Sequence, residues 1–372
     1  FTGEADFVFP ELVRRLGQGI PFQNGLRGFV FRRQGDSVDT GPSPLIRNLD
    51  ALPYPNYDDF LQQLGWSGVK SKQKLQMVIE TSRGCWWGEK NHCRFCGLNE
   101  HELPYRSKSP ERALDEIFHV AARYGIGEVM PVDNILNLDY FKTLLPELKR
   151  RKSSIRLFYE TKANLKKEQI QLLRDAGVTR IQPGIEAFSA NVLKLMHKGV
   201  SPLQNVQLLK WCRQYQVDVA WNLLYGFPGE NLQDYRDTFK IVQAISHLHP
   251  PMAYGYVGLH RFSPIFHAPE QFKLRRIRPL AAYKYLYPFP EAVLENLAYF
   301  FDFDFDGKEK TEYWFHPIKL EVECWQQMTE HSRLEAIQRG RDPMVVRDTR
   351  PRRVRGEYRF NRLEAALVEF CD

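Results

Sequence analysis

The sequence predicts an α/β fold organised around a parallel sheet, and three observations predict it. From about residue 76, apolar strand-like runs alternate with helix-length amphipathic segments through six successive β–α steps. The helical segments carry their own start and stop signals. The alternation ends after Pro269, so one continuous stretch holds the whole rhythm. Six such steps imply right-handed crossovers in a partial (βα)6, TIM-like barrel, with an open doubly wound sheet as the alternative.

Residues 1–19 (FTGEADFVFPELVRRLGQG) read as a short strand or loop and then a helix, with Pro10 where a helix can begin and Gly17 and Gly19 near its end. Residues 26–33 (LRGFVFRR) read as a strand. Residues 39–60 (DTGPSPLIRNLDALPYPNYDDF) are rich in Pro, Asp and Asn and read as a linker. The expected barrel strands are 75–82, 127–134, 155–163, 179–187, 218–226 and 253–262. Between them lie helical segments at 109–125, 137–151, 166–177, 189–216 and 231–248. Ser109 before Pro110 and Glu111 gives an N-cap with Pro at the first helical position, and Gly125 and Gly177 close helices. After Pro269 the chain mixes an aromatic-rich stretch (283–305), candidate hairpins and a final helix-like LEAALVEFCD. The expected organisation is therefore a tail of an upstream domain plus linker at 1–60, the barrel at 61–269 and a smaller accessory region at 270–372.

With 43% hydrophobic residues in 372, the chain can bury a sizeable core. No apolar run reaches the ~18 residues that a membrane span needs, no secretory signal is visible, and a cytoplasmic protein is expected. The first residue is Phe1 rather than Met, which suggests a piece of a longer protein. The formal charge is +7, with basic clusters at 273–278 (KLRRIR) and 347–355 (RDTRPRRVR). These read either as solvated basic faces or as contacts for an anionic partner, an acidic peptide or a nucleic acid. No aromatic-and-glycine RNA-binding signature accompanies them, so nucleic acid is the less expected partner.

Six cysteines are too few for a disulfide scaffold, and three of them, Cys85, Cys93 and Cys96, stand within twelve residues of one another. That pattern favours a reducing compartment and a metal site. Cys93 and Cys96 form a C-x-x-C pair, and Cys85 approaches across a seven-residue loop. Soft thiolates select zinc, copper(I) or iron–sulfur clusters. A zinc site needs a fourth ligand, for which His92 and His101 are at hand. A 4Fe–4S cluster held by three cysteines keeps one iron open for a substrate or cofactor. The motif follows the first barrel strand directly, and so opens onto the C-terminal face where barrel sites lie.

ETSRGCWWGEKNHCRFCGLN resembles the cluster motif of the radical S-adenosylmethionine (SAM) superfamily. Its members place three cysteines after the first strand of a partial (βα)6 barrel, usually as C-x3-C-x2-C with an aromatic residue, here Phe95, before the last cysteine. The first spacing here is longer, seven residues in place of three. The motif is similar to a subgroup that matures ribosomally made peptides and is grouped with the cobalamin-binding radical SAM methyltransferases. NLDALPYPNYDDF resembles the linker of those proteins, and GEADFVFPELVRRL the tail of their cobalamin domain. The Asp-x-His-x-x-Gly cobalamin motif does not occur in this chain.

The resemblance implies a 4Fe–4S cluster on Cys85, Cys93 and Cys96, SAM as cofactor and an external electron donor, with cobalamin a further cofactor it raises. It implies reductive cleavage of SAM to a radical that takes hydrogen from an unactivated carbon, here C-methylation of a precursor peptide; tRNA or a small molecule is the alternative substrate. A non-catalytic zinc protein is the alternative of another class. Phe95 and Gly97 flank the last cysteine. Glu160 and Glu186, at strand ends, correspond to family residues that contact SAM. Asp133 and Asn134 end the second strand, Asn222 and Gly226 are read at the end of the fifth, and all four are candidates to line the same pocket. Trp86 and Trp87 either cover the cluster loop or pack an extended loop. DFDFDGKEKTEY (302–313) opens like a calcium loop, but Tyr313 stands where Glu is needed, and the Phe/Asp alternation reads as an edge hairpin.

Overall fold

The structure is a computed structural model, and it describes residues 1–21, 25–68, 75–98, 102–338 and 344–370. The chain divides into two compact units, one of residues 1–91 and 98–159, the other of residues 92–97 and 160–372.

In the first unit, helix α1 (Val8–Gly17) precedes the hairpin β1 (Val30–Arg33) and β2 (Asp36–Asp39). Helix α1 starts two residues before Pro10, which therefore sits inside the first turn, where no N–H is needed. The expected linker is more than a connection. Ile46, Leu49 and Leu52 are buried together, Asp50 accepts the Ser109 backbone N–H at 2.8 Å, and Arg112 donates to the Leu52 carbonyl at 2.6 Å. Its prolines and polar residues face outward while the apolar side chains at every third position, Ile46, Leu49 and Leu52, turn inward. Helix α2 (Asp58–Trp66) follows, then β3 (Met77–Ile79), β4 (Ser82–Arg83), α3 (Trp86–Asn91) and β5 (Arg106–Ser107), with β4 and β5 antiparallel. Helix α4 (Pro110–Tyr124) is capped by the Ser109 hydroxyl and closed by Gly125 in the left-handed region. Strand β6 (Glu128–Pro131) pairs in parallel with β3 and with β7 (Arg156–Thr161), and α5 (Leu144–Arg151) lies between β6 and β7 in the chain. Ala113, Ile117, Val120, Leu145 and Leu148, on the apolar stripes of α4 and α5, are completely or nearly buried. The boundary between the units falls inside β7, after Tyr159.

The second unit continues with α6 (Lys167–Asp175), β8 (Val178–Pro183), α7 (Ala190–Leu195), α8 (Pro202–Tyr215), β9 (Asp218–Val219), β10 (Asn222–Tyr225), α9 (Leu232–Ala244), β11 (Ala253–Tyr256), β12 (Leu259–His260) and α10 (Pro264–His267). The segment read as one helix at 189–216 is two, because Gly199 turns left-handed and Ser201-Pro202 starts a new N-cap. Strand β8 pairs in parallel with β9, β10 with β11, and Glu186 bridges to Leu223 in the same sense. Thr161, the last residue of β7, accepts the Gly184 N–H at 3.2 Å. The pairs β3–β6, β6–β7, β8–β9 and β10–β11 are thus all parallel, as the sequence predicts.

Beyond Pro269 come β13 (Arg275–Pro279), α11 (Ala282–Leu286), α12 (Glu291–Leu297), β14 (Phe300–Asp304), α13 (Lys308–Met328), β15 (Leu334–Gln338), β16 (Met344–Asp348), β17 (Glu357–Phe360) and α14 (Arg362–Phe370). The DFDFDG stretch is neither a calcium loop nor an edge hairpin. It is β14, the middle strand of an antiparallel sheet ordered β12-β14-β13, and Gly307 turns the chain directly into α13. The hydrophobic core of this unit joins α7, β12 and β14 through Leu193, Met196, Leu259, Phe301 and Phe303. Among the described residues no helix is long and apolar enough to cross a membrane.

Candidate active site

The first unit supplies Cys85. Gly84 can precede it only as glycine: φ is +78°, and a Cβ would fall 2.4 Å from the Pro104 carbonyl oxygen. The Cys85 N–H donates to the Leu103 carbonyl at 3.2 Å, and the Gly88 N–H donates to the Cys85 sulfur at 3.3 Å. Trp86 donates its indole N–H to the Leu136 carbonyl at 3.1 Å and meets Trp87 edge-on, so this pair anchors the loop that carries the thiol.

Above it in the same unit lies a hydroxyl-rich cluster at the ends of β3, β6 and β7. Asp133 is 1% exposed. It accepts the Thr81 N–H at 2.7 Å and the Thr81 hydroxyl, and the Thr81 hydroxyl lies 3.5 Å from that of Tyr159. Burial outweighs these bonds and pushes the Asp133 carboxyl up to about 6. Tyr140 bonds the carbonyl of Lys108 at 2.8 Å, and the Lys108 ammonium pairs with Glu116 at 2.6 Å, both nearly inaccessible. Asp133 thus ties the first strand end to the second, while its neighbour Asn134 is exposed.

The second unit supplies Cys93 and Cys96 on a short loop bonded to its own core. The Arg94 N–H donates to the Met196 carbonyl at 3.1 Å, its guanidinium donates to the Leu195 carbonyl at 3.1 Å, and its carbonyl accepts the Ile265 N–H at 3.1 Å. Phe95 packs on the core of α7, β12 and β14, which is a physical reason for an aromatic side chain there. A Cβ at Gly97 would lie 2.1 Å from the Tyr299 hydroxyl and 2.8 Å from the Arg261 carbonyl, so only glycine lets the chain leave Cys96 along this wall. The ring of His92, a candidate zinc ligand, donates from Nε2 to the Cys96 carbonyl at 3.0 Å, and burial holds its pKa below the usual value. His101 and Cys371 lie outside the described residues.

Beside that loop stands a cation absent from the expected set. Lys198, 8% exposed, reaches Glu186 at 3.4 Å and sits 5.5 Å from the centre of the Phe95 ring. Burial works against its charge, but the Glu186 carboxylate and the Cys93 and Cys96 thiols outweigh it and raise its pKa. Glu186 has φ +58°, a backbone strain that natural chains concentrate at functional positions. Lys162, 9% exposed, donates to the Lys198 carbonyl, and the adjacent Thr161 hydroxyl is buried without a hydrogen-bond partner. Glu160 is half-buried next to it. The Ser-Pro signal at Ser201-Pro202, the same as at Ser109-Pro110, marks the break that brings Lys198 back to the strand ends.

One expectation on the fifth strand is corrected. The run 218–226 is split at Ala220–Trp221, so Asn222 opens β10 instead of ending it, and its side chain is exposed. Gly226 does end β10, with φ +78°, but what approaches it closely is the Tyr256 ring, 2.2 Å from where a Cβ would be. Its N–H and that of Phe227 donate to Glu230 at 2.9 and 3.0 Å, and burial pushes Glu230 up to about 7. Glu230 closes the GFPGE turn, and the Pro228-Gly229 signal just before it is the hint of it in the sequence.

A profile of the radical SAM superfamily matches residues 79–242. Residues 79–242 are a radical SAM domain. Over 247 residues it is 26% identical to an uncharacterised methyltransferase of Pyrococcus horikoshii, covering 65% of this chain and 52% of that protein. Its fold is similar to that of OxsB, a cobalamin-dependent S-adenosylmethionine radical enzyme solved with aqua-cobalamin and S-adenosylmethionine bound. The TM-score is 0.60 at 14% identity, over 88% of this chain and 50% of that one. It is also similar to TsrM, a radical SAM methyltransferase from Kitasatospora setae solved with cobalamin and a 4Fe–4S cluster bound. There the TM-score is 0.57 at 17% identity, over 89% of this chain and 68% of that one. At these identities the likeness establishes the fold, an α/β partial barrel. The chain spans about half the length of the curated relatives it matches.

The superfamily implies a 4Fe–4S cluster and SAM. The donor chemistry of this chain fits the cluster: Cys85, Cys93 and Cys96 are partly exposed cysteines, and two of them raise the pKa of the Lys198 cation. Among the described residues no group of three or more His, Cys, Asp or Glu side chains is gathered so as to hold a metal ion.

Proposed function

We propose that this chain is the catalytic core of a radical SAM enzyme that modifies, by C-methylation, a ribosomally made precursor peptide in a reducing cytoplasm. Cys85, Cys93 and Cys96 are its cluster ligands and leave one iron open for SAM. When bound, the cluster and SAM supply the one-electron chemistry that removes hydrogen from an unactivated carbon. The chain's own residues place the reactants. Lys198, held by Glu186, offers a buried cation at the strand ends to a carboxylate ligand. Glu186 and Glu160 offer acceptors to an amine or to ribose hydroxyls. Phe95 excludes water from the loop behind them. The observation that carries the reading is the C-x-x-C loop docked beside the Lys198–Glu186 pair.

The methyl-transfer step and cobalamin rest on the motif resemblance and are supported by the fold shared with OxsB and TsrM. Asp-x-His-x-x-Gly does not occur in this chain, so cobalamin, if used, is held by another segment or in another way. The peptide rests on the resemblance, and on β15 and β17, each of which pairs on one side only among the described residues and so offers an edge to an extended chain. The 273–278 cluster is not free for an acidic leader, since Arg276 and Arg278 pair with Asp304 and Asp302 at 2.6 and 2.9 Å and Arg275 pairs with Asp306.

The test is anaerobic reconstitution with iron and sulfide, reduction, and electron paramagnetic resonance with and without SAM. A 4Fe–4S signal that SAM perturbs, and that disappears in the Cys85→Ala, Cys93→Ala and Cys96→Ala variants, supports the reading. Stoichiometric zinc with no cluster signal overturns it. Mass spectrometry of candidate peptides for one added methyl group, with and without cobalamin, then tests the substrate.

A further inference from the structure

Lys198 stands on a turn whose two halves are fixed in different ways. The N–H half is set locally. The Lys198 N–H donates to the Leu193 carbonyl at 2.9 Å and the His197 N–H to the Lys194 carbonyl at 3.1 Å, the paired bonds with which a helix ends on a left-handed residue. That residue is His197, with φ +60°, where glycine is the usual choice, and Gly199 on the other side of Lys198 is left-handed too, with φ +61°. Capping of α7 reaches no further than the Lys198 N–H.

The carbonyl half is held from elsewhere in the chain. Lys162, which follows β7 directly and is 9% exposed, donates its ammonium to the Lys198 carbonyl. A buried ammonium is costly to take out of water, and a neutral donor would bond a carbonyl without that cost. What lysine adds is reach, a donor at the end of a long stem. The Lys198 ammonium, in turn, fills a space kept clear by Gly184. A Cβ there would lie 2.6 Å from Lys198 Nζ and 3.6 Å from Glu186 Oε1, and the Gly184 backbone is not left-handed, so what glycine supplies is room. Lys198 is thus held at its N–H by α7, at its carbonyl by Lys162 and at its ammonium in the gap over Gly184, with Glu186 at 3.4 Å.

We propose that Lys162 is a positioning residue of the site: by holding the Lys198 carbonyl it fixes where the Lys198 ammonium stands, and through it how tightly the SAM carboxylate is bound. The inference rests on the reading of Lys198 as a ligand-facing cation given above. No bond is made or broken at Lys162, which acts through the turn alone.

The test follows Lys198 in two ways. In the chain without cluster, limited acylation by acetic anhydride, read at each lysine by mass spectrometry, reports how accessible the Lys198 amine is. In the reconstituted chain, equilibrium dialysis reports the SAM affinity. Lys162→Met should raise Lys198 acylation severalfold and weaken SAM binding on the order of tenfold. Where Lys162→Met does not fold, Lys162→Gln, polar and one atom shorter, takes its place. Lys162→Arg, which keeps a long donor, should recover most of both losses. Gly184→Ala reaches the same ammonium from the other side. Its clash falls on the far end of a flexible side chain, so it should give both effects with the urea midpoint unchanged. In a Lys198→Met background neither Lys162→Met nor Gly184→Ala should weaken SAM binding further, because both act through the lysine. Unchanged Lys198 acylation in the Lys162 variant overturns the proposal. So does acylation that rises while SAM affinity is unaltered, and so does a loss of affinity that adds in full to that of Lys198→Met. If the parent takes up no cluster or binds no SAM, the reading of the site fails, and acylation still decides whether Lys162 holds Lys198.

Discussion

Asp133 and Glu186 both stand at the end of a parallel strand, yet the fold uses them oppositely. Asp133 is closed off, accepts only from neutral donors and is pushed up to about 6 by burial. Glu186 is partly open, faces a lysine at 3.4 Å and holds a strained backbone. The difference lies in the partner. A carboxylate bonded by a threonine N–H and hydroxyl is a joint between strands, and one paired with an adjustable cation beside an open surface is available to a ligand.

The largest expected effect tests the joint. Asp133→Ala strands the Thr81 N–H and hydroxyl in a dry site and should cost about 2–4 kcal/mol in urea unfolding, with any loss of SAM binding following from that. A cost below about 1 kcal/mol breaks the comparison. The pH dependence sharpens it. The Asp133 carboxyl ordinarily titrates near 3.8 and is raised to about 6 in the fold, so the folded chain holds the proton more tightly. Its contribution to stability is complete below about 3.8 and is lost as pH rises through about 6, an amount of roughly 3 kcal/mol. Asp133→Asn should remove that slope from stability measured between those pH values; an unchanged slope places its origin elsewhere, with Glu230 the next group to replace.

Next comes the ligand side. Lys198→Met should weaken SAM binding on the order of tenfold, about 1.4 kcal/mol, in equilibrium dialysis of the reconstituted chain. Iron content should be preserved, whereas a merely structural lysine would leave the affinity unaltered. Gly97→Ala should lower stability by about 1–3 kcal/mol through its overlap with Tyr299 and disturb cluster loading, seen as lower iron per chain. The smallest effect is at Asn222: with an exposed side chain at the start of β10, Asn222→Ala should change stability by less than about 0.5 kcal/mol and SAM affinity not at all. A large loss of affinity there would restore it to the pocket.

Local signals carried well where the physics is local. Ser109-Pro110, Gly125 and Gly177 mark helix ends because capping involves neighbours within one turn, and the structure has them in those roles. Strand ends were less legible. Asn222 and Gly226 look equivalent on paper, but the split of the run at Ala220–Trp221 puts them at opposite ends of β10, and Trp221 is drawn inward with its indole donating to the His249 carbonyl at 3.0 Å. The linker at 39–60 was read from composition, which reports backbone preference and says nothing of the buried Ile46, Leu49 and Leu52.

Two other readings merge into one feature. KLRRIR reads as a solvated basic face or a patch for an anionic partner, and DFDFD as an edge hairpin. They are antiparallel neighbours, with Arg278 opposite Asp302 and Arg275 opposite Asp304 across the strands, so each neutralises the other. Such exposed pairs add little stability individually, but they forbid the like-charge registers that a shifted pairing would create.

What the sequence by itself determined is the alternation of strands and helices, the three thiols after the first strand and the aromatic residue before the last of them. Period, capping and ligand spacing are properties of residues close together in the chain. Only the tertiary structure decided which strand-end carboxylate is sealed, which lysine returns to the cysteine loop, and which charges cancel. Those outcomes depend on residues far apart in sequence sharing a low-dielectric space, where a single donor or cation settles whether a buried charge is tolerated.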